Sequence, residues 1–320
     1  MKQLMKRHWP WLKKVLSGVY LALVAYLVFR LAQNLEWSEV MKSLKALPAA
    51  TLLIAALLAV ASHVVYSSFD LLGRHLTEHK ISVGRTMLIT FVSYTGNLNF
   101  GSLVGAVGLR QRLYSRFGLP LSQVVRITAT SMATNWLGYS LLAAVLLISP
   151  VYAKLAAQSL PAPGLARALG CVLLLAVVGY LALAAFKPGH RWKVGRFNIR
   201  IPTARLAMTQ VLISSVNWTL ISAIIYVLLE QRIGFEQVMF ALLVAAVAGV
   251  ITHVPAGLGV IEATFVLLLG DQVSREALLG VLLAYRAMYY LLPLIPAALI
   301  WVLMESHAGQ EDQPASPRTV

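Results

Sequence analysis

Three charged residues interrupt apolar sequence at positions where they could do chemistry. Glu262 follows Pro255-x-Gly257-x-Gly259, Arg286 stands between Tyr285 and Tyr289-Tyr290, and Arg110 follows a segment broken at Asn97, Gly101 and Gly105. A guanidinium grips phosphate oxygens as a fork and stays charged, which makes Arg286 the best single phosphate ligand in the chain. Glu262 opens a half-helix, where a carboxylate suits the positive end of the helix dipole. Ionisable groups inside apolar segments are costly, and they pair or line a wet cavity. The expectation is therefore that Glu262 pairs with Arg110 or Arg286, forming a gate or an anion-binding site. The bland alternative is an ion pair that only locks two helices, with Arg286 held by Glu262 or Asp70.

Other polar groups carry weaker signals. Asn97, Asn135 and Asn217 can hydrogen-bond an ester or hydroxyl, and amides of this kind also join helices. Asp70 and Glu262 are candidates for proton coupling, although solvation or pairing with a nearby Arg accounts better for Asp70. Arg112 and Arg116 are expected to snorkel to the membrane surface. Enzymatic chemistry finds little support: His63 and His253 are isolated, and no H-E-x-x-H motif or clustered ligand set implies a metal. No carboxylate pair on one helix suggests acid and base catalysis, and no cofactor is implied. The single cysteine, Cys171, excludes a disulfide within the chain and reads as a small core residue.

The elements that position these residues are membrane helices. Of 320 residues, 59% are hydrophobic and 12% charged, and mean hydropathy is +0.75. Several apolar runs approach the roughly 20 residues that cross a bilayer. The expected class is an all-α polytopic membrane protein with about six full spans. These lie near 15–33, 49–72, 127–148, 165–186, 206–229 and 277–304. An amphipathic piece at 34–48 follows the first span. Two interrupted segments, about 86–110 and 237–270, read as re-entrant helical hairpins, because a complete crossing after Thr86 would put Arg110, Arg112, Arg116 and Arg126 outside. Pro and Gly end a helix at Gly101, Gly105, Pro255, Gly257 and Gly259, and such breaks face protein or a wet cavity.

The net charge of +15 is explained by topology. Most of the 27 Lys and Arg fall in the basic N-terminus (1–14), the loops near 74–85 and 187–205, the end of the first hairpin, and the tail (305–320). Both termini are therefore expected in the cytoplasm of a bacterial inner-membrane protein. The charge is an attraction for anionic lipid head groups, not a nucleic-acid footprint. Shifting the sequence by about 152 residues places Ile81 on Ile233, Gly105 on Gly257, Ser62 on Ser214 and Arg110 on Glu262. Repeat one (about 49–148) and repeat two (about 206–304) then run in opposite senses, the inverted-topology arrangement of alternating-access transporters.

The motif Pro255-x-Gly257-x-Gly259-x-x-Glu262, the run Ala284-Tyr285-Arg286-Ala287-Met288-Tyr289-Tyr290, and the Thr134-Asn135-Trp136 and Val216-Asn217-Trp218 segments resemble the YbhN-like family of bacterial inner-membrane proteins. That family is related to the transmembrane flippase region of lysylphosphatidylglycerol synthetases. The resemblance implies a flippase that moves an anionic phospholipid, or a related lipid-linked phosphate, between leaflets. Synthetase members add a large aminoacyl-transfer domain, whereas about 15 residues follow the last span here, so lysyl transfer by this chain is not expected. A lipid-binding regulatory protein, a lipid-modifying enzyme and a transporter of a soluble anion are the rival readings. A homo-oligomer or a further membrane partner is compatible with all of them.

Overall fold

The computed structural model describes residues 37–150, 152, 162–194, 197–252 and 257–311. The expected first span, the basic N-terminus, most of the tail, and Pro255 and His253 lie outside the described residues. Helix α1 (Trp37–Lys45) is the amphipathic piece, and it packs on α12 (Arg275–Arg286). Helices α2 (Ala49–Ser67) and α3 (Phe69–Thr77) form one apolar rod that turns at Ser68, whose hydroxyl donates to the Val65 carbonyl at 2.6 Å. Helix α4 (Val83–Phe100) starts where the Ser82 hydroxyl accepts from the Arg85 amide, and it ends at Gly101.

Beyond Gly101 the chain continues as a π-helix, α5 (Ser102–Leu109), and then as α6 (Arg110–Arg116). Helices α7 (Leu121–Ile148) and α8 (Pro163–Phe186) follow. The basic loop after α8, expected to be free of strands, forms an antiparallel pair, β1 (Arg191–Val194) with β2 (Phe197–Arg200). Alternating Trp, Val, Phe and Ile favour an extended backbone there, and the ladder satisfies amides that no helix takes up. The rest is helical: α9 (Ala204–Leu228), α10 (Phe235–Thr252), α11 (Val260–Leu269), α12, the π-helical α13 (Ala287–Leu291) and α14 (Leu292–Glu311).

Among the described residues, six helical stretches are long and apolar enough to cross a membrane. Five coincide with expected spans, starting up to six residues earlier in α7; the other, Phe235–Thr252, is the first arm of the second interrupted segment. Apolar side chains cover the outside of the helices as well as filling the core. Leu53, Leu57, Val60 and Val64 form an exposed stripe on α2, while Ser62, Asp70, Arg110 and Asn217 are buried. Cys171 is exposed on α8, among residues such as Leu169 and Val172, so the core position expected for it is wrong. A helix rich in Leu, Val and Ala reads as buried from sequence, yet a bilayer lets those same side chains face outward.

The most extensive helix packing is that of α2 on α9, and α7 packs on α9 as well. Gly138 brings α7 against α9 so closely that a Cβ there would stand 2.4 Å from Ser214 Oγ. Both interrupted segments fold back on themselves. At Gly101, with φ +83°, the chain reverses and α5 lies on α4, Gly105 meeting the backbone of Gly96 and Asn97. In the second segment α11 packs on α10, and Gly257 and Gly259 both hold positive φ in the turn before α11.

The first reversal depends on the missing side chain at Gly105, where a Cβ would fall 1.9 Å from the Asn97 nitrogen. Such a clash with backbone cannot be relieved by rotating a side chain, so Gly105→Ala is expected to cost at least the roughly 1–3 kcal/mol of ordinary overpacking. Heating detergent-solubilised protein and following the monodisperse fraction should show a lower melting temperature than wild type. Gly84→Ala, with nothing within 4 Å of the new methyl, should melt like wild type.

Candidate functional site

Where the two folded-back segments face each other they leave an open cavity of about 710 Å³. The first contributes Asn97, Gly101 and Ser102, the second contributes Gly249 and Gly257, and α7, α9 and α12–α13 complete the wall. This volume falls in the range of about 300–1,000 Å³ usual for small-ligand sites. Of the residues expected to bind a ligand, Asn97, Asn135, Tyr285 and Tyr289 lie on this wall, and so do the break residues Gly101 and Gly257. Arg110, Glu262, Arg286 and Asn217 do not line it, nor do Asp70, Gly105 and Gly259.

The charges stand behind the wall in two pairs. Arg286 donates from Nε to Glu262 Oε1 at 2.6 Å and from Nη2 to Oε2 at 2.9 Å, and Nη2 also reaches the Gly257 carbonyl at 2.9 Å. One guanidinium thus joins α12 to α11 and to the turn before it, and its carbon stands 5.7 Å from the centre of the Tyr290 ring. The pair of Glu262 with Arg286 forms; the alternative pair with Arg110 does not.

Arg110 instead donates from Nε to Asp70 Oδ2 at 3.0 Å, from Nη1 to the Ala106 carbonyl and from Nη2 to Ser131 Oγ. Tyr114 adds a second donor to Asp70 Oδ2 at 3.0 Å. Asp70 and Arg110 are both buried, so solvation of Asp70 at the membrane edge is not its environment, and Asp70 does not hold Arg286. This second pair ties the first hairpin to α3 and α7. Arg112 and Arg116, expected to snorkel, both engage Glu305 on α14. Sequence separation of nearly two hundred residues hid that partner.

Asn217 belongs to a buried chain of hydroxyls. Ser62 donates to its Oδ1 at 2.8 Å, and Ser62, Tyr289 and Tyr94 are linked in turn by contacts of 2.8 Å. Tyr66 stacks on Tyr94, with ring centroids 3.5 Å apart, and Tyr285 lies nearly parallel to Tyr289 at 5.5 Å. His63 packs 4.7 Å from Tyr289 and donates from Nδ1 to the Ala59 carbonyl at 2.9 Å. Asn99 fastens α4 to α13 by donating to the Tyr290 carbonyl at 3.1 Å. Asn135 is used through its backbone, whose carbonyl accepts from Ser214 Oγ and Trp218 Nε1.

Tyr66 and Tyr94, which sequence reasoning overlooked, and Trp218, named there only within a family motif, also lie on the cavity wall. Isolated aromatic residues in apolar helices are ordinarily core, and only the packing of α2, α4 and α9 around the cavity brings these to one place. Ser62 did carry a signal, because the 152-residue shift aligns it with Ser214, and both serines bond across helices. Among the described residues no three His, Cys, Asp or Glu come together as metal ligands.

Residues 17–297 match the family model of the lysylphosphatidylglycerol synthase TM region. The inner membrane protein YbhN of Escherichia coli (strain K12) is 39% identical over 301 residues, covering 94% of each chain. An uncharacterized protein of Synechocystis is 28% identical over 272 residues, covering 82% of each. The phosphatidylglycerol lysyltransferase of Staphylococcus aureus (strain COL) is 22% identical over 297 residues, which is 90% of this chain and 34% of that protein. With a family model matched over most of its length, this chain belongs to the lysylphosphatidylglycerol synthase TM region family.

Proposed function

We propose that this multi-pass protein resides in the bacterial inner membrane and moves an anionic phospholipid, or a related lipid-linked phosphate, between leaflets. The observation that carries this reading is the open cavity between two folded-back hairpins in a protein whose described residues include six stretches of membrane length. A lipid head group would enter it while the acyl chains stay in the bilayer. In this reading the hairpins are re-entrant, one from each face, and the two repeats have opposite topology. Supporting this, the position that is Arg110 in one hairpin is Glu262 in the other, and each finds its opposite charge on a neighbouring helix. Membership of the family and the name of its relative in Escherichia coli support the location, and the distribution of Lys and Arg supports cytoplasmic termini.

Opening and closing the two hairpins in alternation would expose the cavity first to one face and then to the other. The ion pairs set which hairpin is held. Because the arginines are already occupied by carboxylates, they would act on the head group by exchanging partners or by moving the hairpin, not as free cationic ligands. No His, Cys, Asp, Glu, Lys or Arg stands on the described cavity wall, so its hydroxyls, such as that of Ser102, have no carboxylate, imidazole or amine base beside them there.

Translocation is measured in proteoliposomes holding tail-labelled phosphatidylglycerol, cardiolipin or phosphatidylethanolamine, by quenching the outer leaflet. Protein-dependent movement of anionic lipid, lost in Glu262→Gln and Arg286→Ala, is the expected result. Absence of movement above empty vesicles for every lipid would contradict the proposal.

A double-mutant cycle separates gating from simple support. Arg286→Met strands a carboxylate and should cost about 3–5 kcal/mol, whereas adding Glu262→Gln to it removes both charges and should recover most of that loss. If the pair is a gate, the double variant regains thermal stability but not lipid movement. Recovery of both would reduce the pair to a helix lock.

A further inference from the structure

The cavity wall has a hydrogen-bonding character that narrows the head group. No formally charged side chain lies among its described residues, and the nearest charges, Arg286 and Glu262, are bonded to each other through two contacts. The aromatic faces are largely taken. Tyr66 covers Tyr94, Tyr285 covers Tyr289, and Arg286 sits over Tyr290, so the rings do not form the open box that holds a quaternary ammonium. Among apolar residues such as Leu98, Phe100, Ile221 and Leu242, the polar side chains that the wall presents are chiefly amide and hydroxyl. The Asn97 and Asn135 side chains are half-buried there and make no hydrogen bond to another described side chain.

The buried chain behind them works in the same sense. Ser62 gives its only proton to Asn217 Oδ1, so it must accept from Tyr289, and Tyr289 must then accept from Tyr94. That leaves a lone pair on the Tyr94 oxygen as the open end, while Asn217 Nδ2 has no partner at the other end. Turning over the Asn217 amide reverses every proton and makes Tyr94 a donor instead. Each polar group offered to the cavity can thus both donate and accept. A phosphate only accepts, an ammonium only donates, and a hydroxyl does both.

We propose that the cavity between the hairpins selects a hydroxyl-rich head group, an inositol or glycosyl moiety carried on a lipid, through Asn97, Asn135 and the Tyr94–Tyr289 hydroxyl chain. This rests on the reading of the cavity as a lipid head-group site, and it separates recognition of the hydroxyls from recognition of the phosphate. Carboxamides suit vicinal hydroxyls because the two atoms of the amide bond one hydroxyl as donor and the next as acceptor.

The test holds the tails constant and is run near pH 5, below the second ionisation of a phosphate monoester at about 6, so that phosphatidic acid and phosphatidylinositol each carry about one negative charge. Tail-labelled phosphatidylinositol and phosphatidic acid are compared in proteoliposomes, with phosphatidylethanolamine as the amine-bearing control. In parallel, the stabilisation that each lipid gives to detergent-solubilised protein is read as a shift in melting temperature. Phosphatidylinositol should move about tenfold faster than phosphatidic acid, the worth of one or two net hydrogen bonds. Asn97→Leu with Asn135→Leu should remove that preference, so that the two anionic lipids move at equal rates in the double variant. The isosteric Asn97→Asp, which loses its donors, should weaken it.

Equal movement of the two anionic lipids would overturn the selection of hydroxyls while leaving lipid translocation standing. If no lipid moves, the transport reading fails, and the melting shifts decide alone: stabilisation by phosphatidylinositol beyond phosphatidic acid upholds the site, and equal shifts overturn it. Stabilisation by free methyl glucoside matching that of phosphatidylinositol would overturn the lipid as the source of the hydroxyls.

Discussion

A charge removed from water must meet an opposite charge, and that requirement decides where the two hairpins of this protein can stand. Breaking such a pair by deleting one partner costs far more than never having built it, so each pair acts as a fixed strut between particular helices. Arg110 with Asp70 fixes the first hairpin to α3, with Ser131 and Tyr114 completing the site. Arg286 with Glu262 fixes the second to α12 and also takes up the Gly257 carbonyl, a backbone acceptor left over by the turn before α11. The glycines allow the chain to reverse, and the ion pairs determine against which neighbour the reversed segment rests.

This arrangement changes the character of the space between the hairpins. Had the arginines been free, the cavity would carry strong positive charge and bind phosphate directly. With both neutralised by carboxylates, its described wall is composed of tyrosines, amides, small residues and aliphatic side chains such as Leu98 and Ile221, and the charges lie behind it. A layer of that kind can respond to occupancy, because a hairpin that moves must either carry its partner along or exchange it. Residues such as Ala245, Ala246 and Gly249 on α10 keep the approach narrow in side-chain bulk and wide in volume.

The spans were legible because hydrophobic length is a local property, and five of the expected spans reappear as helices of membrane length. The hairpin breaks were legible for a similar reason, since Gly101, Gly257 and Gly259 all occupy positive φ that other residues avoid. Partnership was only half legible. Glu262 and Arg286 are 24 residues apart and were paired correctly as one of two options, but Arg110 carried no mark distinguishing Asp70 from Glu262. Glu305 as the partner of Arg112 and Arg116, and the convergence of Tyr66, Tyr94 and Trp218, depend on three-dimensional packing that periodicity does not encode. Cys171 failed differently: in a bilayer the outward face of α8 is as apolar as a core.

The central claim is that one cavity serves both faces of the membrane in turn. Its most direct test is the reactivity of a single cysteine at Asn97, introduced after Cys171→Ala, toward a membrane-impermeant maleimide applied to spheroplasts and to inside-out vesicles. The account predicts labelling from both sides, each suppressed when the opposite hairpin is held closed by a cross-link. Labelling from one side only, under every condition that supports lipid movement, would contradict it.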